Sequence, residues 1–276
     1  MQTVLTIAGF DPSSGAGVTA DLMVFAAHGL FGTACITALT VQSTMGVRAA
    51  HPVSAEVIQA TLDCLNADLP PAGVKIGMFA ISENIHVISR YIRNHHQMDE
   101  VREGARVFVL DPILRSSSGR ELLDPAALAA LRQELLPSVD WITPNLAELA
   151  ILAEQPVVDR DDLPRACRTL QGQVGTGSNG RSLGVFATGG HLVSPDDFLL
   201  LPTGEEHWLP GVRIATTSTH GTGCALSSAF LSRLVLGDTA VEAAKGAKEY
   251  VARALKSAVP VGHGTGPLNL RHSEPA

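Results

Sequence analysis

The sequence predicts an α/β fold, a mostly parallel sheet with helices on both faces. Three observations carry this. Short apolar runs alternate with segments of helical periodicity along most of the chain. The runs are continuous rather than alternately apolar and polar, as strands buried on both faces require. Several of them end in glycine or a polar residue just before a helical pattern, which is the first half of a βαβ unit.

In order, residues 3–8 are a β-rich run ending at Gly9, and the loop 9–17 leads into an apolar helical pattern over 18–27. Residues 31–41 read as a second buried strand, followed by Gln42. Ser54 reads as an N-cap, with Val57, Ile58, Leu62 and Leu65 at helical spacing behind it. A short strand over 74–76 runs into Gly77 and Met78, and 85–92 is helical, with His95 and His96 beyond it read as solvated. Residues 107–110 form an apolar strand ending at Asp111-Pro112. A helix over 125–136, a strand at 141–142 and a helix over 146–153, entered through Asn145, come next. Residues 163–170 are helical, and the glycine-rich stretch 171–181 reads as a surface loop. A strand over 183–187 leads into Thr188-Gly189-Gly190-His191, and a hairpin over 198–209 turns at Thr203-Gly204. Helices over 225–236 and 241–258 precede a glycine-rich run at 262–267, which reads either as a turn closing over a nucleotide or as a flexible tail. No composition shift marks a linker and no repeat occurs, so a single domain over 1–276 is expected.

The 276 residues are 45% hydrophobic but only 4% aromatic, so the expected core is aliphatic and rich in alanine. The net charge of −7 argues against a broad nucleic-acid or membrane-binding surface. An anionic substrate would then need local attraction. Cys35, Cys64, Cys167 and Cys224 lie far apart with no Cys-x-x-Cys, which disfavours a disulfide or zinc scaffold and fits a reducing cytoplasm. No apolar run is long enough for a signal peptide or a membrane span, so a cytoplasmic location is expected.

The stretch most suggestive of chemistry is 216–228, where glycine-broken polar backbone runs into an apolar helix pattern. The first turn of a helix has N–H groups without intrahelical acceptors. Gly221 and Gly223, flanking Thr222, let that backbone approach a ligand, so the stretch predicts a cradle for a phosphate or a developing anion. Cys224 at this positive helix end is expected to be drawn toward thiolate. An anion cradle beside a base suggests phosphoryl transfer to a hydroxyl. In an open parallel sheet, ligands collect at the carboxyl ends of strands. The residues placed there are the loop 9–17, with Gly9, Asp11 and Ala16, then Gln42, Met78, Asp111, Asn145, Glu148, Gly189, Gly190 and the stretch 221–224. Asp111 and Glu148 fall where a magnesium ion or its waters could be held beside phosphates; equally, Asp111 suits a turn and Glu148 complements a helix N-terminus. Gln42 offers a donor and an acceptor to a heteroaromatic edge, and Met78 can pack on a ring or fill core. The loop 9–17 has neither the Walker A nor the dinucleotide glycine spacing, which excludes a dinucleotide-dependent oxidoreductase.

Together, several of these stretches resemble bacterial hydroxymethylpyrimidine/phosphomethylpyrimidine kinases of thiamine biosynthesis, members of the ribokinase-like superfamily. The resemblance rests on Thr-Ile-Ala-Gly-Phe-Asp-Pro-Ser-Ser-Gly-Ala-Gly at 6–17, Ile-Thr-Ala-Leu-Thr-Val-Gln at 36–42 and Val-Lys-Ile-Gly-Met at 74–78. It continues through Asp111-Pro112, Thr-Pro-Asn-Leu-Ala-Glu at 143–148, Gly-Gly-His-Leu at 189–192 and Thr-His-Gly-Thr-Gly-Cys at 219–224. It implies phosphorylation of 4-amino-5-hydroxymethyl-2-methylpyrimidine by ATP with Mg²⁺, then of the monophosphate to the diphosphate, on a ribokinase-like sheet with a small β flap, often as a homodimer. Carried over residue by residue, Gln42 would bind the pyrimidine edge, with Gly9, Asp11, Ala16 and Met78 around it. Cys224 would stand where most ribokinase-like enzymes have an aspartate base, with Gly221, Thr222 and Gly223 as the anion hole. Asn145 and Glu148 would act on magnesium and phosphate, Asp111 would lie near the metal, and Thr188 and Gly190 would meet the nucleotide. Two departures stand out: Thr188 and Ser117 occupy places where the family commonly has lysine. Two cations are missing near the expected phosphates, with Arg115 as a possible substitute, so the second phosphorylation is the step put in question. The rival readings are a pyridoxal or pyridoxine kinase and a non-catalytic pyrimidine-binding relative.

Overall fold

A computed structural model describes residues 1–99, 106–114, 125–190 and 192–271. Arg115, Ser117 and His191 lie outside the described residues. The strands are β1 (Thr3–Phe10), β2 (Phe31–Ser43), β3 (Gly46–Pro52), β4 (Gly73–Ile76), β5 (Val107–Leu110), β6 (Trp141–Ile142), β7 (Gly184–Ala187), β8 (Asp197–Leu200) and β9 (Glu206–Leu209). They form one nine-stranded sheet in the order β3-β2-β1-β4-β5-β6-β7-β8-β9. The six strands from β2 to β7 are parallel, and β3, β8 and β9 pair antiparallel at the two edges.

The helices are α1 (Gly17–Ala27), α2 (Ala55–Asp68), α3 (Ser82–Asp99), α4 (Pro125–Ala130), α5 (Leu146–Leu152), α6 (Asp162–Val174), α7 (Thr222–Val235) and α8 (Ala240–Lys256). Period-two alternation along the strands sorts the core into two layers. Leu5, Ile7, Phe108 and Leu110 pack toward α2 through α6, while Val4, Val109 and Phe186 pack toward α1, α7 and α8. The second layer is alanine-rich, with Ala225, Ala229, Ala243, Ala244 and Ala247 all buried there.

The departures from the sequence reading have physical causes. Strand β3 was not expected: its exposed Arg48 and His51, among half-buried residues, leave an edge strand no apolar run to recognise. β2 extends through Ser43, so Gln42 lies within the strand, just past a register shift between Val41 and Gln42. The helix expected over 125–136 is α-helical only to Ala130 and ends in a π turn over Leu131–Leu135 and a 3-10 turn over Leu136–Ser138. Residues 171–174 belong to α6, which stops at Gly175 in the left-handed region. His95 is not solvated: it is buried in α3, bonded to the Tyr91 carbonyl at 2.7 Å and to Asn66 Oδ1 at 2.8 Å.

At the centre of the second layer sits a buried cation. The Lys75 side chain is wholly inaccessible, and its Nζ lies 3.1 and 3.0 Å from the two carboxylate oxygens of Asp21 and 3.7 Å from Asp111 Oδ2. Asp21 also accepts from Thr6 Oγ1 at 2.6 Å and Ser228 Oγ at 2.8 Å. Burial pulls the Lys75 pKa down, but Asp21, Cys224 and Asp111 outweigh it and raise it above its ordinary value. Removing one partner of such a pair strands the other in an apolar interior. Lys75→Met should therefore lower stability by about 3–5 kcal/mol in urea unfolding, and adding Asp21→Leu should recover part of the loss.

Candidate active site

The carboxyl ends of the parallel strands open into a cavity of about 750 Å³. β1 delivers Gly9 and Asp11, β4 delivers Met78, β5 delivers Asp111, β6 leads to Asn145, and β7 leads to Thr188. Gln42 reaches the cavity from the extended β2, and Gly221, Thr222, Gly223 and Cys224 reach it from the start of α7. Ala16, Glu148 and Gly190 complete the set, so every residue selected from the sequence lines this one cavity.

One end of the cavity is a helix terminus left open. α5 and α8 each begin with a full capping box, Asn145 with Glu148 and Thr239 with Glu242. α7 begins at Gly221, which has no side chain to cap with. Thr222 N turns back to the Thr219 carbonyl at 3.4 Å, which leaves the N–H groups of Gly223 and Cys224 for an anion in the cavity. The two glycines serve different purposes. Gly221 has φ +85°, and a Cβ there would lie 1.8 Å from the Gly15 carbonyl oxygen, so its bareness is needed for loop packing. Gly223 has nothing nearer its Cβ position than the Asp111 carboxylate at 3.9 Å, and this is the position that leaves room for a ligand.

Cys224 corrects the expected electrostatics. Burial dominates and pushes the thiol up to about 12. Lys75 and the Gly17 N–H pull it down, while Asp111 and Asp21 push it further up. The helix terminus does not overcome desolvation beside two carboxylates, so the resting side chain is a thiol.

Asp111 and Glu148 face each other in the cavity. Burial pushes Glu148 up to about 8, with Asp111 adding to the rise against hydrogen bonds from the Asn145 and Leu114 backbone. Asp111 is also raised, by burial first and by Asp21, against the pull of Lys75. Two buried, mutually repelling carboxylates are a hard-oxygen donor set suited to Mg²⁺. Among the described residues no cluster of three or more His, Cys, Asp or Glu side chains forms a complete metal cage, so any ion here would need oxygens from a substrate or water.

Five contributors went unread in the sequence, and the part played by a sixth, His220, was left open. Lys75 lies in a four-residue strand otherwise of glycine and apolar residues, a position that demands a buried partner. Val212, Arg213, Ile214 and Leu255 line the cavity near Thr188 and Gly190, and nothing in their local pattern marks them. His220, whose place after a strand-end loop suggests a structural residue or one that backs a site residue, lies at the opposite end, 2.7 Å from Asp11 and 3.1 Å from Gln42. The glycine-rich run near the C-terminus packs against the β2–β3 turn, with Thr265 N donating to Thr44 O at 3.0 Å and His220 N donating to Gly266 O at 3.0 Å. It borders the Gln42 end of the cavity.

An uncapped helix terminus, paired carboxylates and a polar pocket at the strand ends of this sheet define a ribokinase-like small-molecule kinase. The chain belongs to the phosphomethylpyrimidine kinase family, whose model matches residues 11–269. It is 35% identical over 274 residues to the hydroxymethylpyrimidine/phosphomethylpyrimidine kinase of Haemophilus influenzae, covering 98% of this chain and 96% of that one. Among solved structures, a phosphomethylpyrimidine kinase from Clostridium difficile 630 superposes with a TM-score of 0.78 at 33% identity, covering 93% of this chain and all of that one. A pyridoxal kinase of Bacillus subtilis, solved as an ADP complex, superposes with a TM-score of 0.82 at 27% identity over 97% of this chain and 96% of its own. No helix among the described residues is long and apolar enough to cross a membrane.

The raised Cys224 pKa has a direct chemical readout. The thiolate fraction grows only as pH approaches about 12, so alkylation near neutral pH should spare Cys224 and mark the exposed Cys64 first. Peptide mapping by mass spectrometry after timed iodoacetamide treatment checks this.

Proposed function

We propose that this protein transfers the γ-phosphoryl group of ATP to the hydroxyl of 4-amino-5-hydroxymethyl-2-methylpyrimidine, and then a second phosphoryl group to the monophosphate. The observation that carries this is the convergence of Gln42, Cys224, the open α7 terminus and the Asp111–Glu148 pair on one cavity. The double name of the Haemophilus relative supports both transfers.

In this reading the pyrimidine lies at the Gln42 end, walled by Gly9, Asp11, Ala16 and Met78. The nucleotide lies at the far end, against Asn145, Thr188 and Gly190. There Arg213, which donates to the Gly190 carbonyl at 3.3 Å, places a cation near the position where the family's lysine is replaced by Thr188. Asp111 and Glu148 would hold Mg²⁺, which supplies charge neutralisation for the phosphates when bound. The α7 amides, with Gly223 giving access, stabilise charge on the phosphoryl group in flight. Because that transition state is loose, the hydroxyl needs orientation more than a strong base. Cys224 suits this: its sulfur lines the cavity at the helix start as a neutral thiol that can orient the hydroxyl, whose own proton passes late to an oxygen of the transferred phosphoryl group.

An ADP-release assay over hydroxymethylpyrimidine, its monophosphate and pyridoxal tests the assignment, with turnover expected on the first two. Pyridoxal as the sole productive acceptor would overturn it. Cys224→Ala should lower kcat by about 100-fold or more while leaving the unfolding midpoint nearly unchanged. Wild-type turnover in that variant would remove the cysteine from the mechanism.

We further infer a homodimer, supported by exposed apolar residues Leu39, Val41 and Met45 on the outer β2–β3 pair. Sedimentation velocity should show a species of twice the 28.9 kDa chain mass.

A further inference from the structure

We propose that His220, clamped by Asp11, fixes which way round the Gln42 carboxamide sits, and thereby which way round the aminopyrimidine ring enters the site. This rests on the reading of the Gln42 end as the pyrimidine pocket.

The structure sets the Gln42 carboxamide with Nε2 3.1 Å from His220 Nε2 and Oε1 3.3 Å from Thr40 Oγ1, and the neighbours' chemistry requires the reverse. Amide nitrogen and oxygen are alike in shape, so the neighbours' hydrogen-bonding capacity decides which is which. His220 Nε2 is 2.7 Å from Asp11 Oδ2. Asp11 also accepts from Ser13 N at 2.9 Å, Ser13 Oγ at 2.7 Å and Ala16 N at 3.0 Å, the pattern of an ionised carboxylate. Burial works against that ionisation, but the bonds from His220 and Ser13 outweigh it and lower the Asp11 pKa. An ionised carboxylate brings no hydrogen to this contact, so Nε2 carries one, whether the imidazole is neutral or charged. A protonated Nε2 has no lone pair for an amide N–H. The Gln42 oxygen therefore faces His220 and shares its proton with Asp11.

Thr40 chooses the same arrangement independently. Its single hydroxyl proton is taken by the Phe10 carbonyl at 2.9 Å. Toward Gln42 it can then only accept, so it faces the NH₂ group. The histidine cannot turn aside: it is buried, and its ring lies so close over Gly15 that a Cβ there would stand 2.2 Å from His220 Cδ2.

The free edge of Gln42 thus has a defined handedness, acceptor on the His220 side and donor on the Thr40 side. A 4-aminopyrimidine matches it in one way, with the exocyclic amino group toward His220 and the ring nitrogen toward Thr40. The 5-hydroxymethyl group is ortho to the amino group. It is therefore carried to the His220 side, where the chain continues directly into Gly221 and Cys224. The opposite amide orientation would turn the hydroxyl away from the phosphoryl site. His220 is a positioning residue in this scheme and does not touch the reacting atoms.

The experiment has two arms. In the ligand-free protein, the Gln42 side-chain NH₂ protons should show nuclear Overhauser contacts to the Thr40 methyl and none to the His220 ring; contacts to the ring would overturn the proposal. In kinetics, wild-type kcat/KM for hydroxymethylpyrimidine should exceed that for its analogue lacking the 4-amino group by at least about 10-fold. His220→Phe should collapse that ratio toward unity, and His220→Gln, which keeps a donor near Nε2, should restore most of it. An equal loss on both substrates in His220→Phe, or an unchanged ratio, would overturn the proposal. Failure of the wild type to use hydroxymethylpyrimidine at all would instead sink the assigned function, with the Overhauser contacts still deciding the amide orientation.

Discussion

The buried Lys75 ammonium is the interaction on which the site's architecture depends. It draws on Asp21 from α1 and Asp111 from β5, and through Asp21 on Thr6 of β1 and Ser228 of α7. Five elements meet at one charge. Taking an ammonium and a carboxylate out of water costs several kcal/mol per ion, so the cluster persists only with its geometry and remaining hydrogen bonds satisfied. That requirement makes it a spacer: the β5 end and the start of α7 cannot slide relative to β4 without stranding a charge. Asp111 and Cys224 are therefore held at fixed separation before any ligand arrives.

The same cluster shapes the electrostatics above it. Lys75 compensates Asp21 and reaches Asp111, but among the described residues no cation is paired with Glu148, whose pKa is pushed up to about 8. The site holds one more carboxylate than its own cation can keep ionised, which is the condition a divalent ion relieves. A protein of net charge −7 has no global attraction for nucleotide phosphates. Any such attraction must be local, and the open end of α7 supplies it at one point.

Much of this was legible in the sequence, for a stated reason. Parallel strands buried on both faces must be apolar runs, so 3–8, 74–76 and 107–110 declare themselves, and their carboxyl ends collect the ligand-facing residues by topology alone. What was illegible depended on tertiary neighbours. β3 borrows its pairing from β2 and needs no pattern of its own. His95 looks like a surface residue until Asn66 and the Tyr91 carbonyl are beside it. Cys224 shows the limit most sharply: a helix-end rule favours thiolate, but the rule is local, and burial reverses its sign with help from the carboxylates that β5 and α1 bring up. The Lys75 signal was present in a strand too apolar for an unpaired charge, yet its partner, 54 positions away, could not be chosen without the fold.

Substrate choice is a separate problem from fold. A pyridoxal kinase superposes on this chain as well as a phosphomethylpyrimidine kinase does, so the shared sheet, anion cradle and carboxylates do not distinguish the two acceptors. Both rings carry a hydroxymethyl group for the cradle to act on. They differ in the polar edge beside it, an amino group next to a ring nitrogen in one case and a formyl group next to a phenol-bearing ring carbon in the other. Only a wall with ordered donors and acceptors can read that difference, because an apolar pocket rejects an isostere weakly whereas an unpaired buried polar group is costly. Gln42 alone would be a poor reader, since its amide can turn over and offer the reverse pattern at the same place. The strand that presents it, the histidine behind it and the aspartate behind the histidine remove that freedom. Specificity in this family member is then a matter of how far a hydrogen-bond chain extends behind the residue that touches the ring.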